Sequence, residues 1–201
     1  MRVETEDAPQ NLHPLADVLG YDLAGSSFRK DSIVIASTAR EIAQAALPFL
    51  RDDDIEMVLA RFNAAASLAP QVEAAPLVPF LSKLKAAGLK IGVATNDSEA
   101  PARAHLDAAN VTGLFDFIAG FDSGFGAKPA SGQLRAFCDQ VGLGADQCVM
   151  VGDSLHDLHA GRAAGFATIG VLTGLATAQD LAPMADVVLP SVAHIPDWLD
   201  S

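Results

Sequence analysis

Val149-Met150-Val151-Gly152-Asp153-Ser154-Leu155-His156-Asp157 decides the fold, because an apolar run ends there in two carboxylates four positions apart. The run predicts a strand that delivers Asp153 and Asp157 into the loop and helix that follow. In an open α/β sheet, ligands bind beyond the carboxyl ends of the strands. Two acids there favour a hard cation such as Mg²⁺, which takes oxygen ligands and leaves room for phosphate oxygens. The same residues would also suit an ordinary turn and a helix whose first turn carries an acid.

Composition and charge limit the classes of protein to which the chain can belong. It has 201 residues, half of them hydrophobic, enough for one sizeable domain or for one domain with a small second one. The net charge of -12 argues against nucleic-acid and anionic-membrane partners, because their phosphates would repel it. Cys138 and Cys148 are too few for a disulfide framework and predict buried thiols in a reducing compartment. Since no stretch resembles a signal peptide or a membrane span, we expect a soluble cytoplasmic protein.

The hydrophobic pattern changes along the chain and predicts two parts. Before a proline-containing linker at 69–76, helical spacing predicts helices over 11–20, 31–47 and 52–68. After the linker, apolar runs predict strands at 89–94, 115–119, 148–151, 168–172 and 186–189. Helices are predicted between them, around 77–84, 102–109, 132–141 and 158–164. This alternation predicts an α/β fold with a parallel sheet and helices on both faces.

Two further predicted loops carry polar groups that suit a phosphate. The strand ending at Ala94 runs into Thr95-Asn96-Asp97-Ser98, where a hydroxyl and successive N–H groups could hold a phosphate or simply cap the next helix. The next loop presents Lys128, followed by a proline, as a point charge for phosphate or as an ordinary surface cation. Thr95, Lys128 and the two acids each follow a separate βα step. This combination is less expected by chance than any one of these residues alone.

On these residues the chain resembles the haloacid dehalogenase-like superfamily, in its phosphoglycolate-phosphatase-like branch with a helical cap. The resemblance rests on Gly152-Asp153-Ser154-Leu155-His156-Asp157 with Ala160-Gly161-Arg162-Ala163-Ala164-Gly165, and on the placement of Thr95 and Lys128. It implies an α-helical cap over residues 1–75 and a Rossmann-like core over 76–201. It also implies that Thr95, Asn96 and Lys128 bind the phosphoryl group and that Asp153 and Asp157 bind Mg²⁺. Lys128, Thr95 and Asp153 would then serve catalysis.

One departure from the family pattern concerns the nucleophile. The family begins with a strand ending in Asp-x-Asp, whose first Asp forms an aspartyl-phosphate and whose second is the general acid and base. The segment Met1–Gln10 offers Glu4, Glu6 and Asp7 without an apolar run, so no residue of this chain is assigned that role. We expect the nucleophile, and with it the central first strand of the sheet, to lie upstream of Met1. A degenerate relative without catalysis is the other explanation.

The resemblance implies a Mg²⁺-dependent phosphomonoester hydrolase acting on a small phosphorylated metabolite, for which phosphoglycolate is the best-known example in this branch. A truncated or degenerate phosphate-binding relative and a sugar phosphomutase remain as alternatives, since both would keep these sites. A 2-haloacid dehalogenase is disfavoured, because it does not need the metal pattern of Asp153 and Asp157. His156 and His159 could suggest a zinc site, but a third clustered ligand is missing from the sequence around them. Arg29 could bind a substrate carboxylate if its loop faced the site.

Overall fold

The computed structural model describes residues 9–51 and 54–199, and Glu4, Glu6 and Asp7 lie outside them. The chain divides between Ala69 and Pro70 into two compact units. The first unit contains α1 (Leu12–Leu19), β1 (Tyr21–Asp22), β2 (Ser27–Phe28), α2 (Ile33–Ala36), α3 (Ala39–Ala46) and α4 (Ile55–Ser67). The second contains α5 (Leu77–Ala86), β3 (Gly92–Ala94), α6 (Glu99–Ala108), β4 (Phe117–Ala119), α7 (Gly132–Val141), β5 (Val149–Gly152), α8 (Leu155–Ala164), β6 (Ala167–Val171), α9 (Ala178–Leu181), β7 (Val187–Leu189) and α10 (Ile195–Leu199).

The first unit is mainly helical, with one helix break that the sequence pattern did not predict. α1 ends as expected at Gly20, whose φ of 68° is in the left-handed region. The single helix predicted over 31–47 is wrong, because the structure has α2 and α3 in its place. Thr38 begins α3 with a capping box, in which its hydroxyl and the Glu41 carboxylate each accept a backbone N–H bond from the other residue. Capping side chains satisfy the free N–H groups of a new helix end and so favour the break.

The second unit has the parallel α/β arrangement that the alternating pattern predicts. β3 pairs with β4 in parallel, from Gly92 opposite Phe117 to Ala94 opposite Ala119. β5, β6 and β7 form a second parallel sheet in that order. Each predicted strand is present near its expected position, and helices connect the strands of each sheet. Over the described ranges, no helix is long and apolar enough to cross a membrane.

The core of this unit lies where helices pack on the three-stranded sheet. Buried Leu134, Cys148, Ala160 and Phe166 form one apolar cluster. α8 approaches the sheet closely at Gly161, where a Cβ would lie 2.7 Å from the Thr168 side chain and 2.8 Å from that of Met150. Only a residue without a side chain allows this contact, which brings α8 directly against β5 and β6.

An aspartate lies just before β4 and another just before β7, and each is hydrogen-bonded to the neighbouring strand or to the residue just before it. The Asp116 carboxylate accepts hydrogen bonds from the Lys85 ammonium at 2.6 Å and from the Ile91 N–H at 2.9 Å. The Asp186 carboxylate does the same with Arg162 at 2.7 Å and the Thr168 N–H at 2.8 Å. Each carboxylate therefore ties the beginning of one strand to the beginning of the next.

Replacing Asp116 with Asn is expected to lower the free energy of unfolding by about 1.5–3 kcal/mol, the range for hydrogen bonds to a charged group. Desolvation alone would raise the pKa of Asp116, but the Lys85 bond, the Ile91 N–H and the charge of Lys90 together bring it below its ordinary value. Its stabilising effect is therefore complete above the unfolded pKa near about 4 and is lost as pH falls through the lower folded value. Urea unfolding of both proteins at several pH values should show the difference shrink in acid, whereas a constant difference would contradict this role.

The two cysteines lie side by side as thiols, with their Sγ atoms 3.6 Å apart. Burial, followed by the hydrogen bond and charge of Cys138, raises the pKa of the buried Cys148 thiol to about 12. Because only the thiolate attacks alkylating reagents, Cys148 should react very slowly in the folded chain. In a Cys138→Ser variant at about pH 8, burial, the largest cause of the raised pKa, remains, and we expect labelling of Cys148 to be at least about tenfold faster in denaturant than in buffer. Mass spectrometry measures the labelling over time. Equal labelling rates in denaturant and in buffer would show that Cys148 is accessible and reactive in the folded chain.

Candidate functional site

The residues singled out in the sequence lie at the carboxyl ends of the parallel strands. Lys128, Asp153 and Asp157 line one cavity of about 540 Å³ in the second unit. Ala94, the last residue of β3, lines the same cavity, and Thr95 follows it directly. The fold thus brings together groups that are up to 62 positions apart, from Thr95 to Asp157.

Lys128 is a buried bridging cation and not a surface charge. Its ammonium donates to the Asp157 Oδ1 atom at 2.6 Å and to the Ala94 carbonyl oxygen at 2.7 Å. The Lys128 and Asp157 side chains are only 12% and 9% exposed. A charge pair with so little access to water is screened weakly, so the ammonium is held in one place between the end of β3 and the start of α8.

Asn96 holds the backbone of Lys128 with both ends of its side-chain amide. Its Nδ2 donates to the Lys128 carbonyl at 2.9 Å, and its Oδ1 accepts the Lys128 N–H at 2.8 Å. These bonds let Asn96 fix the loop that carries the ammonium. Its assignment to phosphate binding stays a prediction. The reciprocal pair explains how a residue in a long loop reaches the strand ends in a defined position.

Asp157 is anchored by the first turn of α8. Its Oδ2 accepts from the Ser154 hydroxyl at 2.7 Å and from the Ser154 N–H at 3.1 Å, which completes a capping box. A Cβ on Gly152 would lie 2.1 Å from the Asp157 Cβ, so glycine is needed at the strand end. With Oδ1 taken by Lys128, both oxygens of Asp157 are already engaged. Ser154 was not singled out from the sequence, although the pair Ser154 and Asp157 has the spacing of a capping box.

Asp153 lines the same cavity and is exposed to solvent. Partial desolvation, and next the negative charge of Asp157, raise the pKa of Asp153. A Cβ on Gly174 would lie 2.5 Å from the Asp153 Oδ2 atom, so glycine there leaves space for the carboxylate. Asp153 is therefore a carboxylate that would gain from a nearby cation.

Thr95 and Gln133 form the other side of the strand ends. The Thr95 hydroxyl accepts the Asp97 N–H at 3.0 Å, and the Thr95 carbonyl accepts from the Gln133 Nε2 at 2.9 Å. Gln133 is fully buried and lines the cavity, and its Oε1 has no hydrogen-bond partner among the described residues. Sequence reasoning missed Gln133; its one signal is a polar residue next to Leu134 on the apolar face of α7.

The donor set fits Mg²⁺ in its oxygen chemistry. Two neighbouring carboxylates repel each other, and a bound cation would relieve this repulsion. Mg²⁺ is commonly held by one or two carboxylates together with water and substrate phosphate. Asp153 would be the direct ligand, because the oxygens of Asp157 already accept hydrogen bonds. Within residues 9–51 and 54–199, no group of three or more His, Cys, Asp or Glu side chains could hold a metal by itself.

Arg29 belongs to the first unit, where it contacts two acids of that unit. Its guanidinium lies 3.8 Å from the Asp17 carboxylate and 3.6 Å from that of Asp31, and it also donates to the Asp17 carbonyl at 3.1 Å. The side chain is 44% exposed. Its role as a substrate carboxylate ligand stays a prediction.

Comparison with known proteins identifies the family. The family model described as "haloacid dehalogenase-like hydrolase" matches residues 28–171, and the chain belongs to this family. The phosphoglycolate phosphatase of Rhodospirillum rubrum is 35% identical over 119 residues, which are 59% of this chain and 49% of that protein. The chain thus spans about half the length of that relative. The phosphoglycolate phosphatase of Caulobacter vibrioides is 29% identical over 92% of both chains.

Among solved structures, the chain is similar to CbbY from Rhodobacter sphaeroides in complex with phosphate. The TM-score is 0.67 at 23% identity, and the match covers 96% of this chain and 90% of that one. A likeness at this level of identity concerns the fold, and it agrees with the Rossmann-like α/β arrangement of the second unit.

Proposed function

We propose that this chain carries the phosphate and metal site of a Mg²⁺-dependent phosphomonoester hydrolase for a small phosphorylated metabolite, similar to phosphoglycolate phosphatases. The observation that carries the proposal is the buried Lys128 ammonium, held at the strand ends beside Asp157 and Asp153. A buried cation and a carboxylate with a raised pKa at this edge of an α/β sheet are typical of a reaction centre. The phosphoglycolate phosphatases among its relatives support the substrate class.

The local charge explains why a divalent cation is needed. Lys128 offsets one of the two carboxylates, so the site has a net negative charge before a substrate arrives. A phosphate monoester is also negative, and it would be repelled unless a cation reversed the sign. Bound Mg²⁺ would supply this charge and polarise the phosphoryl oxygens.

The other steps of phosphate and metal binding are assigned to individual residues of the chain. Lys128 provides a fixed positive charge for the phosphoryl group, and Asn96 positions it through the backbone. The Thr95 hydroxyl, which accepts the Asp97 N–H, can still donate its proton to a phosphate oxygen. Asp153 holds the metal. We place the attacking carboxylate outside the described residues, on an apolar strand ending in Asp-x-Asp.

Mg²⁺ dependence is tested on the chain extended at its N-terminus by such a strand. We expect release of inorganic phosphate from small phosphomonoesters with Mg²⁺ and none in excess EDTA. Asp153→Asn should reduce turnover by about 10²-fold or more at limiting Mg²⁺, because the metal loses its main ligand. Asp139→Asn, a substitution of an exposed acid on α7, is the matched control and should leave turnover unchanged.

Four results would overturn parts of this proposal. Full activity in EDTA would exclude the metal, and unchanged turnover by Asp153→Asn would exclude that ligand. Conversion of a phosphorylated sugar into its isomer without phosphate release would identify a phosphomutase. Binding of phosphate and Mg²⁺ without any turnover of the extended chain would indicate a non-catalytic relative.

A further inference from the structure

The thiols of Cys138 and Cys148 face each other between the last part of α7 and the start of β5. Their Sγ atoms are 3.6 Å apart. A disulfide bond brings two sulfur atoms to about 2 Å, so a shift of roughly 1.5 Å, shared between two side chains, would close the gap. The pair is thus placed for a covalent bond as well as for packing.

The backbone around both cysteines is fixed by hydrogen bonds. The Cys138 carbonyl accepts from the Gly142 N–H at 2.8 Å, where α7 ends. Cys148 donates its N–H to the Ala145 carbonyl at 3.2 Å, and its own carbonyl accepts from the Ala167 N–H at 3.1 Å. The fold therefore holds the two sulfur atoms near each other, and side-chain rotation without refolding of either segment would join them.

The two thiols differ in their access to solvent. Cys148 is 5% exposed and lies in the apolar cluster with Leu134, Ala160 and Phe166. Burial, followed by the hydrogen bond and charge of Cys138, raises the pKa of Cys148 to about 12. Cys138 is only half-buried. A small oxidant in solution therefore reaches Cys138 first, and Cys148 is kept as a thiol beside it.

We propose that Cys138 and Cys148 are a modification site at which hydrogen peroxide forms a reversible disulfide. The Cys138 sulfur attacks the O–O bond and becomes a sulfenic acid, with release of one water. The Cys148 sulfur then attacks that sulfur: the S–O bond breaks, the S–S bond forms, and the hydroxyl leaves as water with the Cys148 proton. Together the two thiols lose two electrons and two protons, and one peroxide is reduced to two waters.

The neutral sulfenic acid also favours the second step. It removes the charge of Cys138 from beside Cys148, one of the causes that hold the second thiol in its protonated form. Rapid closure protects Cys138, because a sulfenic acid that persists is oxidised irreversibly to a sulfinic acid. In a reducing compartment, thiol reductants would return the pair to its reduced form once the oxidant is gone.

The disulfide would stabilise the second unit and leave the candidate site open. It would link residues ten positions apart in the chain and so restrict the unfolded ensemble. Cys148 precedes the first residue of β5, whereas Asp153 follows the last one. A strand segment of about 16 Å therefore separates the disulfide from the proposed metal ligand. This inference does not depend on the proposed hydrolase activity.

The test is treatment of the reduced full chain with hydrogen peroxide, then alkylation in denaturant and mass spectrometry. The chain contains two cysteines, so alkylation counts these thiols directly. We expect a product that has lost two hydrogen atoms, takes up no alkylating reagent and yields a linked peptide pair with both cysteines. Dithiothreitol should restore two alkylatable thiols.

Matched serine variants establish the order of the two steps. Cys148→Ser keeps the accessible thiol without its partner, so a sulfenic acid should accumulate and be trapped by dimedone. Cys138→Ser keeps only the buried thiol and should give at least about tenfold less adduct in the same time. The unchanged chain should also give at least about tenfold less adduct than Cys148→Ser, because Cys148 consumes the sulfenic acid.

Urea unfolding of the reduced and oxidised chain measures the effect on the fold. We expect oxidation to raise the urea midpoint of the unchanged chain and to leave that of Cys138→Ser where it was. The serine variant keeps all four methionines, so it controls for oxidation elsewhere in the chain.

Several outcomes would refute the proposal. Two alkylatable thiols after peroxide treatment, or a sulfinic acid at Cys138 of the unchanged chain, would show that the pair does not close. A disulfide between two chains on a non-reducing gel would exclude the internal bond. Faster trapping at Cys148 would reverse the assigned order, and a lower urea midpoint after oxidation would exclude stabilisation. The mass measurement on the unchanged chain decides the bond itself even if a serine variant does not fold.

Discussion

Replacing Lys128 with Met is expected to lower the free energy of unfolding by about 3–5 kcal/mol, measured by urea denaturation. The substitution keeps most of the side-chain volume but removes the ammonium that lies 2.6 Å from the Asp157 Oδ1 atom. Asp157 would then remain buried next to Asp153 without a cation. Removing one member of a buried pair is costly because the desolvated partner is left without compensation.

A double variant and an exposed pair serve as controls for this prediction. Lys128→Met combined with Asp157→Leu should recover much of the lost stability, since no unpaired charge remains. Arg103→Met, in the exposed pair with Glu99, should cost less than about 1 kcal/mol. A Lys128→Met loss as small as that of Arg103→Met would show that the buried pair does not have the electrostatic role assigned to it.

The 201 residues by themselves are expected to show no phosphatase turnover, even when folded and supplied with Mg²⁺. Asp157 has both oxygens engaged, and Asp153 is assigned to the metal. Adding an upstream apolar strand that ends in Asp-x-Asp should raise phosphate release by roughly 10³-fold or more, because covalent catalysis requires a positioned nucleophile.

The comparison needs an extension that differs only in the nucleophile. A chain extended with Asn-x-Asp should fold like the Asp-x-Asp version but remain inactive, because only the attacking carboxylate is replaced. Turnover by the unextended chain that disappears in Asp153→Asn would contradict the prediction. An acid of the chain itself, such as Asp7 or Asp97, would then have to be the nucleophile.

Part of the candidate site could be predicted from the sequence because its residues stand directly after apolar strands. Thr95 and Asp153 are determined by local patterns, an apolar run followed by polar groups, and the parallel fold brings such strand ends together. The position of Lys128 at the strand ends was predicted from its place in the order of βα steps. Its burial was not predicted, because it depends on the approach of α8, which is set by the close contact at Gly161.

The sequence by itself determined the strands, most of the helices and the α/β class, since these follow from apolar spacing and from local signals such as Gly20. It also determined which loops carry the polar groups. Only the tertiary structure decided that Asn96 holds the Lys128 backbone, that Gln133 is buried beside Thr95, and that β3 and β5 border one cavity. The physical reason is range: hydrogen bonds and burial between residues more than 30 positions apart depend on how the elements pack, and no local pattern records that.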